Sequence, residues 1–171
     1  MQYSHLPHIH LPNHYQFITF RTHDSVDSYV KKLQLQYKET RQKQYAIDQY
    51  LDHSPRGAYL KGEVLMLLNE YLKQNHDLYE LVAFSVMPNH VHLLLKPLQE
   101  LAVMMQCIKG KSAYLINQKL GRKGKFWANE YYDKLVRDEA HFNTVYRYIQ
   151  NNPVSLDEPD NSFPRFFGIY E

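Results

Sequence analysis

Two β-rich runs separated by a turn dipeptide constrain the fold of this chain more than any other feature. Residues 78–87 (LYELVAFSVM) are followed by Pro88-Asn89 and then by a second apolar run at residues 90–96. β-Branched and aromatic residues favour strands, and Pro followed by Asn is typical of a turn. The pattern therefore predicts two strands joined by a tight turn.

Further strand and helix patterns surround these two strands. Residues 14–22 alternate as a strand does, and residues 125–136 are typical of a loop followed by a short strand. Apolar residues recur at helical spacing over residues 25–52, 58–74, 98–120 and 139–152. Gly121 is suited to end the third helix, and Asp138 is suited to cap the fourth. The order of elements predicts an α+β fold with helices packed on an antiparallel sheet.

Length and composition favour one globular domain. The chain has 171 residues, of which 44% are hydrophobic and 22% charged, and it contains only 6 Gly. The single cysteine, Cys107, argues against a disulfide scaffold and a zinc finger. The sequence has neither a signal-peptide pattern nor an apolar run of about 18 residues. We expect a cytoplasmic domain over residues 1–171 with no membrane partner, a helical insertion at about 25–75 and a short tail from about 155.

Two histidines begin the second of the predicted strands. His90 and His92 are two positions apart, so they share one face of a strand, while Val91 and Leu93 share the other. A surface His-x-His pair is common in proteins. In a strand this apolar, however, two adjacent imidazoles indicate a ligand, and a metal ion is the usual one. The pair is therefore a candidate metal site.

The last predicted helix separates two tyrosines. Phe142, Val145, Tyr146 and Ile149 form its apolar stripe, so we expect Tyr146 to be a core residue. Tyr148 lies about 110° away from that stripe and is predicted to be presented rather than buried. Asn152 follows one turn later, and its amide oxygen is an acceptable ligand for a hard divalent cation.

Basic charge is concentrated in one stretch, although the net charge of the chain is only +2. Residues 105–137 contain eight Lys or Arg against two acidic residues, and aromatic residues are interleaved with them. A solvated helix face would also explain this charge, but a groove that attracts phosphates and stacks bases needs the same combination. The candidate DNA-binding residues are Lys109, Lys111, Arg122, Lys123, Lys125, Trp127 and Tyr131.

Four segments in fixed order resemble a known family. They are VMPNHVHLLLKP, IKGKSAYLIN, GKFWANEYYDKLVRD and YRYIQNNPV. Together they resemble the REP-associated tyrosine transposases, which belong to the single-tyrosine transposases with a His-hydrophobic-His (HUH) motif. The resemblance extends over residues 14–154, and the ordered set is far more specific than any one segment.

The resemblance implies a ferredoxin-like or RRM-like antiparallel sheet backed by helices. It also implies a metal-dependent nuclease and ligase that acts on single-stranded DNA near hairpins, in the bacterial cytoplasm and at the nucleoid. His90 and His92 would hold Mg²⁺ or Mn²⁺, Tyr148 would be the nucleophile of the YI-x-x-N-P motif, and Asn152 would be the third ligand. Related members have Gln at that last position. A monomer and a homodimer with shared sites both agree with the sequence.

Two other functions remain open on the sequence alone. An RRM-like sheet could bind single-stranded nucleic acid without catalysis, with the histidines as ordinary strand residues. A metal phosphodiesterase that uses water would keep the metal site and make Tyr148 incidental. A covalent link between protein and DNA would distinguish the transposase from both the binding module and the phosphodiesterase.

Overall fold

The computed structural model describes residues 13–36, 40–156 and 163–170. The strands are β1 (Gln16–Thr22), β2 (Tyr79–Val86), β3 (His90–Pro97), β4 (Trp127–Leu135) and β5 (Phe166–Gly168). The helices are α1 (Ser28–Gln36), α2 (Thr40–Asp52), α3 (Gly62–Lys73), α4 (Leu101–Leu120) and α5 (Glu139–Asn151), with short 3₁₀ turns at His23–Ser25 and Asn152–Ser155. Within these ranges no helix is both long enough and apolar enough to cross a membrane.

The five strands form one antiparallel sheet in the order β4-β1-β3-β2-β5. The first four strands have the order of a ferredoxin-like βαββαβ unit, so the predicted α+β fold is confirmed. The fifth strand pairs with β2 at the edge, with Phe166 opposite Ser85. The sequence patterns did not predict it, because a three-residue strand is too short to show a period.

The helices end and begin where local chemistry requires. Gly121 follows α4 with φ of 63°, a left-handed conformation that glycine adopts without steric cost. The Asp138 carboxylate accepts a hydrogen bond of 2.7 Å from the backbone N–H of His141 and so caps α5, as predicted. Residues 25–52 contain two helices, α1 and α2, where the sequence predicted one helical stretch; residues 37–39 lie outside the described residues.

The sheet has a different helical cover on each face. Helices α3 and α4 pack on one face, where Leu93 and Phe20 lie in the main core. Helix α5 packs on the other face, against Leu94 and Ala83. Helices α1 and α2 share a small core of their own, formed by Val30, Leu33, Ile47 and Leu51. The face that carries α5 also carries the histidines.

Candidate functional site

His90 and His92 lie side by side on the α5 face of β3, in the middle of the sheet. Their ring centroids are 4.9 Å apart, and both side chains are fully buried. Val91 and Leu93 point into the main core on the opposite face. The predicted division of β3 into a histidine face and an apolar face is therefore confirmed.

Each of the two imidazoles is oriented by a hydrogen bond at its Nδ1 atom. The Asn89 side-chain nitrogen donates to the Leu51 carbonyl at 2.9 Å, which fixes the orientation of the amide. The Asn89 Oδ1 atom, 2.8 Å from His90 Nδ1, must therefore accept the proton on that ring nitrogen. His92 Nδ1 lies 2.8 Å from the Thr19 hydroxyl. The Nε2 atoms of both rings are buried and have no hydrogen-bond partner among the described residues. In His90 this Nε2 is the unprotonated nitrogen, which is the form that binds a metal.

Burial keeps both imidazoles neutral. Desolvation holds the pKa of His90 well below its usual range, and the neighbouring His92 and Arg21 lower it further. Desolvation likewise lowers the pKa of His92 to about 3, with Arg21 acting in the same direction. A divalent cation requires neutral imidazoles, so the pair is in the protonation state that a metal site needs.

Helix α2 adds two carboxylates that the sequence analysis missed. Asp48 Oδ2 is 4.0 Å from His92 Nε2, and Asp52 Oδ1 is 3.7 Å from His90 Nε2. Desolvation raises the pKa of Asp48 to about 7 against the effect of Arg21, and that of Asp52 to about 6. Their i, i+4 spacing places both acids on one helix face, which was the available signal. The spacing alone could not show that this face meets the histidines.

Tyr148 points toward the two histidines and the two α2 carboxylates, which together form the histidine cluster. Its hydroxyl donates a 2.9 Å hydrogen bond to Asp48 Oδ2, and its ring lies edge-on to His92 with centroids 5.4 Å apart. Desolvation and the adjacent Asp48 charge raise its pKa above the usual value, while the Asn152 amide acts in the opposite sense. Tyr148 is half-buried under α2 and is not openly presented as the sequence predicted. The sequence could not show which element packs over it. Asn152 itself is buried, next to the tyrosine.

Tyr146 is a core residue, as predicted. It is 8% exposed and packs in the cluster beneath α5. Its hydroxyl donates to the Tyr170 carbonyl at 2.6 Å and accepts from the Tyr170 N–H at 3.1 Å. The two tyrosines of α5 therefore have different surroundings, and only Tyr148 contacts the histidine cluster.

Arg21 is a further buried charge that the sequence analysis did not single out. It lies on β1 opposite His90 and is 3% exposed. Its guanidinium donates to the Gln44 side chain of α2. Burial lowers its pKa, while Asp48 and Tyr148 raise it. Arg21 is therefore positioned to balance negative charge in this cluster.

The donor set fits a divalent cation. One ligand atom each from Asp48, His90 and His92 lies within 4.8 Å of the others, and all three residues are buried. The two unpartnered Nε2 atoms and the unpartnered Asp48 Oδ1 are buried polar groups, which proteins otherwise avoid. Two imidazoles and one carboxylate form a recognised set for divalent transition metals.

The predicted DNA-binding residues lie away from this cluster. Helix α4, which carries Lys109 and Lys111, packs on the sheet face opposite the histidines. Lys109 donates to the Ala128 carbonyl at 2.6 Å, and its pKa is lowered to about 8 by burial. Arg122 pairs with Asp24 at 2.9 Å. Lys111, Lys123 and Lys125 are exposed, and Tyr131 is half-buried.

Trp127 does not agree with the predicted stacking role. It is 3% exposed, its ring packs edge-on against Phe20 at 4.6 Å, and its Nε1 donates to the Ser112 hydroxyl at 2.9 Å. The indole belongs to the main core and is almost fully enclosed, so a base cannot stack on it. The pattern of alternating basic and aromatic residues could not distinguish a core tryptophan from an exposed one.

Comparison with known proteins places the chain in a family. Residues 52–152 match the profile of the family described as "Transposase IS200 like". A solved REP-associated tyrosine transposase bound to a REP hairpin has a similar fold, with a TM-score of 0.53, 17% identity and coverage of 89% of this chain and 73% of that one. A putative transposase from Deinococcus radiodurans R1 aligns at 19% identity and a TM-score of 0.36, covering 89% of this chain and 98% of that one. No curated protein sequence matches significantly. The family profile covers more than half of the chain and includes the histidines, Tyr148 and Asn152, so the chain belongs to the IS200-like transposase family.

Proposed function

We propose that this transposase is a metal-dependent endonuclease and strand transferase for single-stranded DNA, of the HUH type, with Tyr148 as its nucleophile. The observation that carries the proposal is the position of the Tyr148 hydroxyl, which enters the histidine cluster and contacts Asp48 at 2.9 Å. A nucleophile beside a cation site is the arrangement that phosphoryl transfer to a side chain requires. Within the family, we assign the chain to the REP-associated branch on its four ordered motifs.

His90 and His92 would hold the cation through Nε2, and Asn152, in the 3₁₀ turn that follows the helix of Tyr148, would offer its amide oxygen. The cation would be Mg²⁺ or Mn²⁺, and when bound it would withdraw charge from the oxygens of the scissile phosphate. The chain's own groups do the positioning. Asn89 and Thr19 orient the two rings at their Nδ1 atoms.

The proposed reaction conserves the phosphodiester bond energy. The Tyr148 phenolic oxygen loses its proton and forms a bond to phosphorus, while the bond from phosphorus to the 3′-oxygen breaks. The leaving 3′-oxygen takes up a proton, which gives a free 3′-OH and a 5′-phosphotyrosyl link. Attack by another 3′-OH then reverses the step and rejoins DNA, so no nucleotide cofactor is required.

The proposed partner is single-stranded DNA next to a hairpin. The similar solved transposase is described as bound to a REP hairpin, which supports this class of substrate. Exposed Lys111, Lys123 and Lys125 would contact phosphates, with Arg122, Lys109 and Tyr131 beside them.

A trapped adduct tests the proposal. The protein is incubated with labelled single-stranded DNA that carries a hairpin, in the presence of Mn²⁺, and analysed on a denaturing gel. We expect an SDS-resistant adduct from the wild type and from Tyr146→Phe, but none from Tyr148→Phe, which lacks only the hydroxyl. Peptide mapping should place the label on Tyr148.

Three results would contradict the proposal. An adduct on Tyr146 would identify a different nucleophile. Cleavage by Tyr148→Phe would indicate a phosphodiesterase that uses water. DNA binding by the wild type with neither cleavage nor adduct would indicate a non-catalytic binding module.

A further inference from the structure

We propose that Asp48 is a protein ligand of the divalent cation, so that the cation fastens helix α2 to the catalytic face of the sheet. This inference rests on the proposed function for the identity of the site and extends it to a residue outside the family motifs. The motifs supply two imidazoles from β3 and an amide from the end of α5. The carboxylate comes instead from α2, in the segment between β1 and β2.

The first support is the convergence of unpartnered atoms. His90 Nε2, His92 Nε2 and Asp48 Oδ1 are all buried and lack hydrogen-bond partners within the described parts of the chain. One ligand atom from each residue lies within 4.8 Å of the other two. A buried polar atom without a partner is costly, so two unpartnered imidazole nitrogens beside a buried carboxylate indicate that something binds there. Asp52 Oδ1, 3.7 Å from His90 Nε2, is buried and unpartnered as well.

The second support is the chemistry of the donors. Mg²⁺ and Mn²⁺ prefer oxygen ligands, so two imidazoles alone are a weak site for either ion. An anionic oxygen adds charge neutralisation that a neutral amide cannot supply. Asp48 is the carboxylate that is near both rings, whereas Asp52 does not belong to the three-residue cluster and approaches His90 alone, at 3.7 Å.

The third support is the way in which α2 is held. Among the described side chains, helices α1 and α2 bury a small apolar cluster between them. Polar contacts join α2 to the catalytic face: Gln44 with Arg21, Asp48 with Tyr148, and the Leu51 carbonyl with Asn89. A helix docked through such contacts gains much from one strong bond to a cation that the sheet also holds.

The experiment measures Mn²⁺ binding without DNA. Isothermal calorimetry compares the wild type with Asp48→Asn, which keeps the shape and removes the charge. The matched control is Asp27→Asn, because the Asp27 carboxylate accepts hydrogen bonds from the Val30 N–H and the Tyr50 hydroxyl and does not face the histidines. We expect at least a tenfold loss of affinity for Asp48→Asn and a change of less than about threefold for Asp27→Asn. An unchanged affinity in Asp48→Asn, or an equal loss in Asp27→Asn, would overturn the assignment.

Hydrogen exchange of the wild type gives an answer that does not depend on any variant. We expect Mn²⁺ to slow amide exchange in α2, because a helix that ligates the ion opens less often. Exchange in α2 that is unaffected by saturating Mn²⁺ would refute the proposal, even if Asp48→Asn failed to fold. The adduct assay is separate: a protein that binds Mn²⁺ through Asp48 but never forms an adduct would refute the proposed strand transfer and leave this ligand assignment intact.

Discussion

Asn89 connects the histidine site to helix α2, so its replacement should affect both stability and metal binding. Its side-chain nitrogen is 2.9 Å from the Leu51 carbonyl and 3.3 Å from the Ser54 carbonyl, and its oxygen is 2.8 Å from His90 Nδ1. The residue is fully buried, so water cannot replace these contacts. We therefore expect Asn89→Ala to be among the more damaging single substitutions near the site.

The expected magnitude follows from counting the bonds. Two hydrogen bonds from the amide nitrogen contribute about 1 kcal/mol each, and the His90 N–H left without a partner in a buried site costs about 1–3 kcal/mol. The free energy of unfolding should thus fall by about 3–5 kcal/mol. Because His90 also loses the group that fixes its tautomer, Mn²⁺ affinity should fall by about 10–100-fold.

Asn69→Ala is the matched control for this substitution. The Asn69 amide is also largely buried, and it donates a 2.7 Å hydrogen bond to the Pro164 carbonyl, on the face opposite the histidines. Loss of this hydrogen bond should lower the free energy of unfolding by about 1–2 kcal/mol and leave Mn²⁺ affinity unchanged. Urea unfolding followed by circular dichroism measures the stabilities, and calorimetry on the folded proteins measures Mn²⁺ binding.

The tautomer argument would be refuted by one clear result. If Asn89→Ala is destabilised but binds Mn²⁺ as tightly as Asn69→Ala does, then Asn89 does not orient His90 for a metal. The contacts with α2 would in that case be the whole role of the side chain.

Three further predictions concern residues away from the histidines. Trp127→Ala should lower the free energy of unfolding by about 3–5 kcal/mol in a urea titration, because the indole is a core residue; a stable variant that merely loses DNA affinity would contradict its placement. Gly57→Ala should unfold at a lower urea concentration than Gly124→Ala. Both glycines have positive φ, but a Cβ at Gly57 would clash with the Thr22 hydroxyl, whereas one at Gly124 would have nothing within 4 Å. Lys123→Ala should lower, by about 0.7, the slope of log affinity for single-stranded DNA against log salt concentration. Lys73→Ala, at the end of α3, should leave that slope unchanged.

Periodicity predicted four of the five described strands and the faces of the central residues, but it missed β5 and the division between α1 and α2. The apolar pattern on both sides of Pro88-Asn89 placed β2 and β3, and the two-residue spacing placed both histidines opposite the core residue Leu93. The 3.6-residue period separated Tyr146 from Tyr148 on α5. These features depend on neighbours within one strand or a few helical turns, so the local sequence encodes them.

Periodicity could not reveal what packs against those faces. Asp48 is 42 residues before His90 in the chain, and its polar helix has no motif that directs it to the histidines. Trp127 stands in a basic, aromatic stretch, yet it is buried against Phe20 of a different strand. A hydrophobic or charge pattern states which side of an element is buried or polar, but the partner across the interface depends on contacts between distant segments. The carboxylates beside the histidines and the burial of Trp127 therefore follow only from the tertiary packing of α2 and of β1 beside β4.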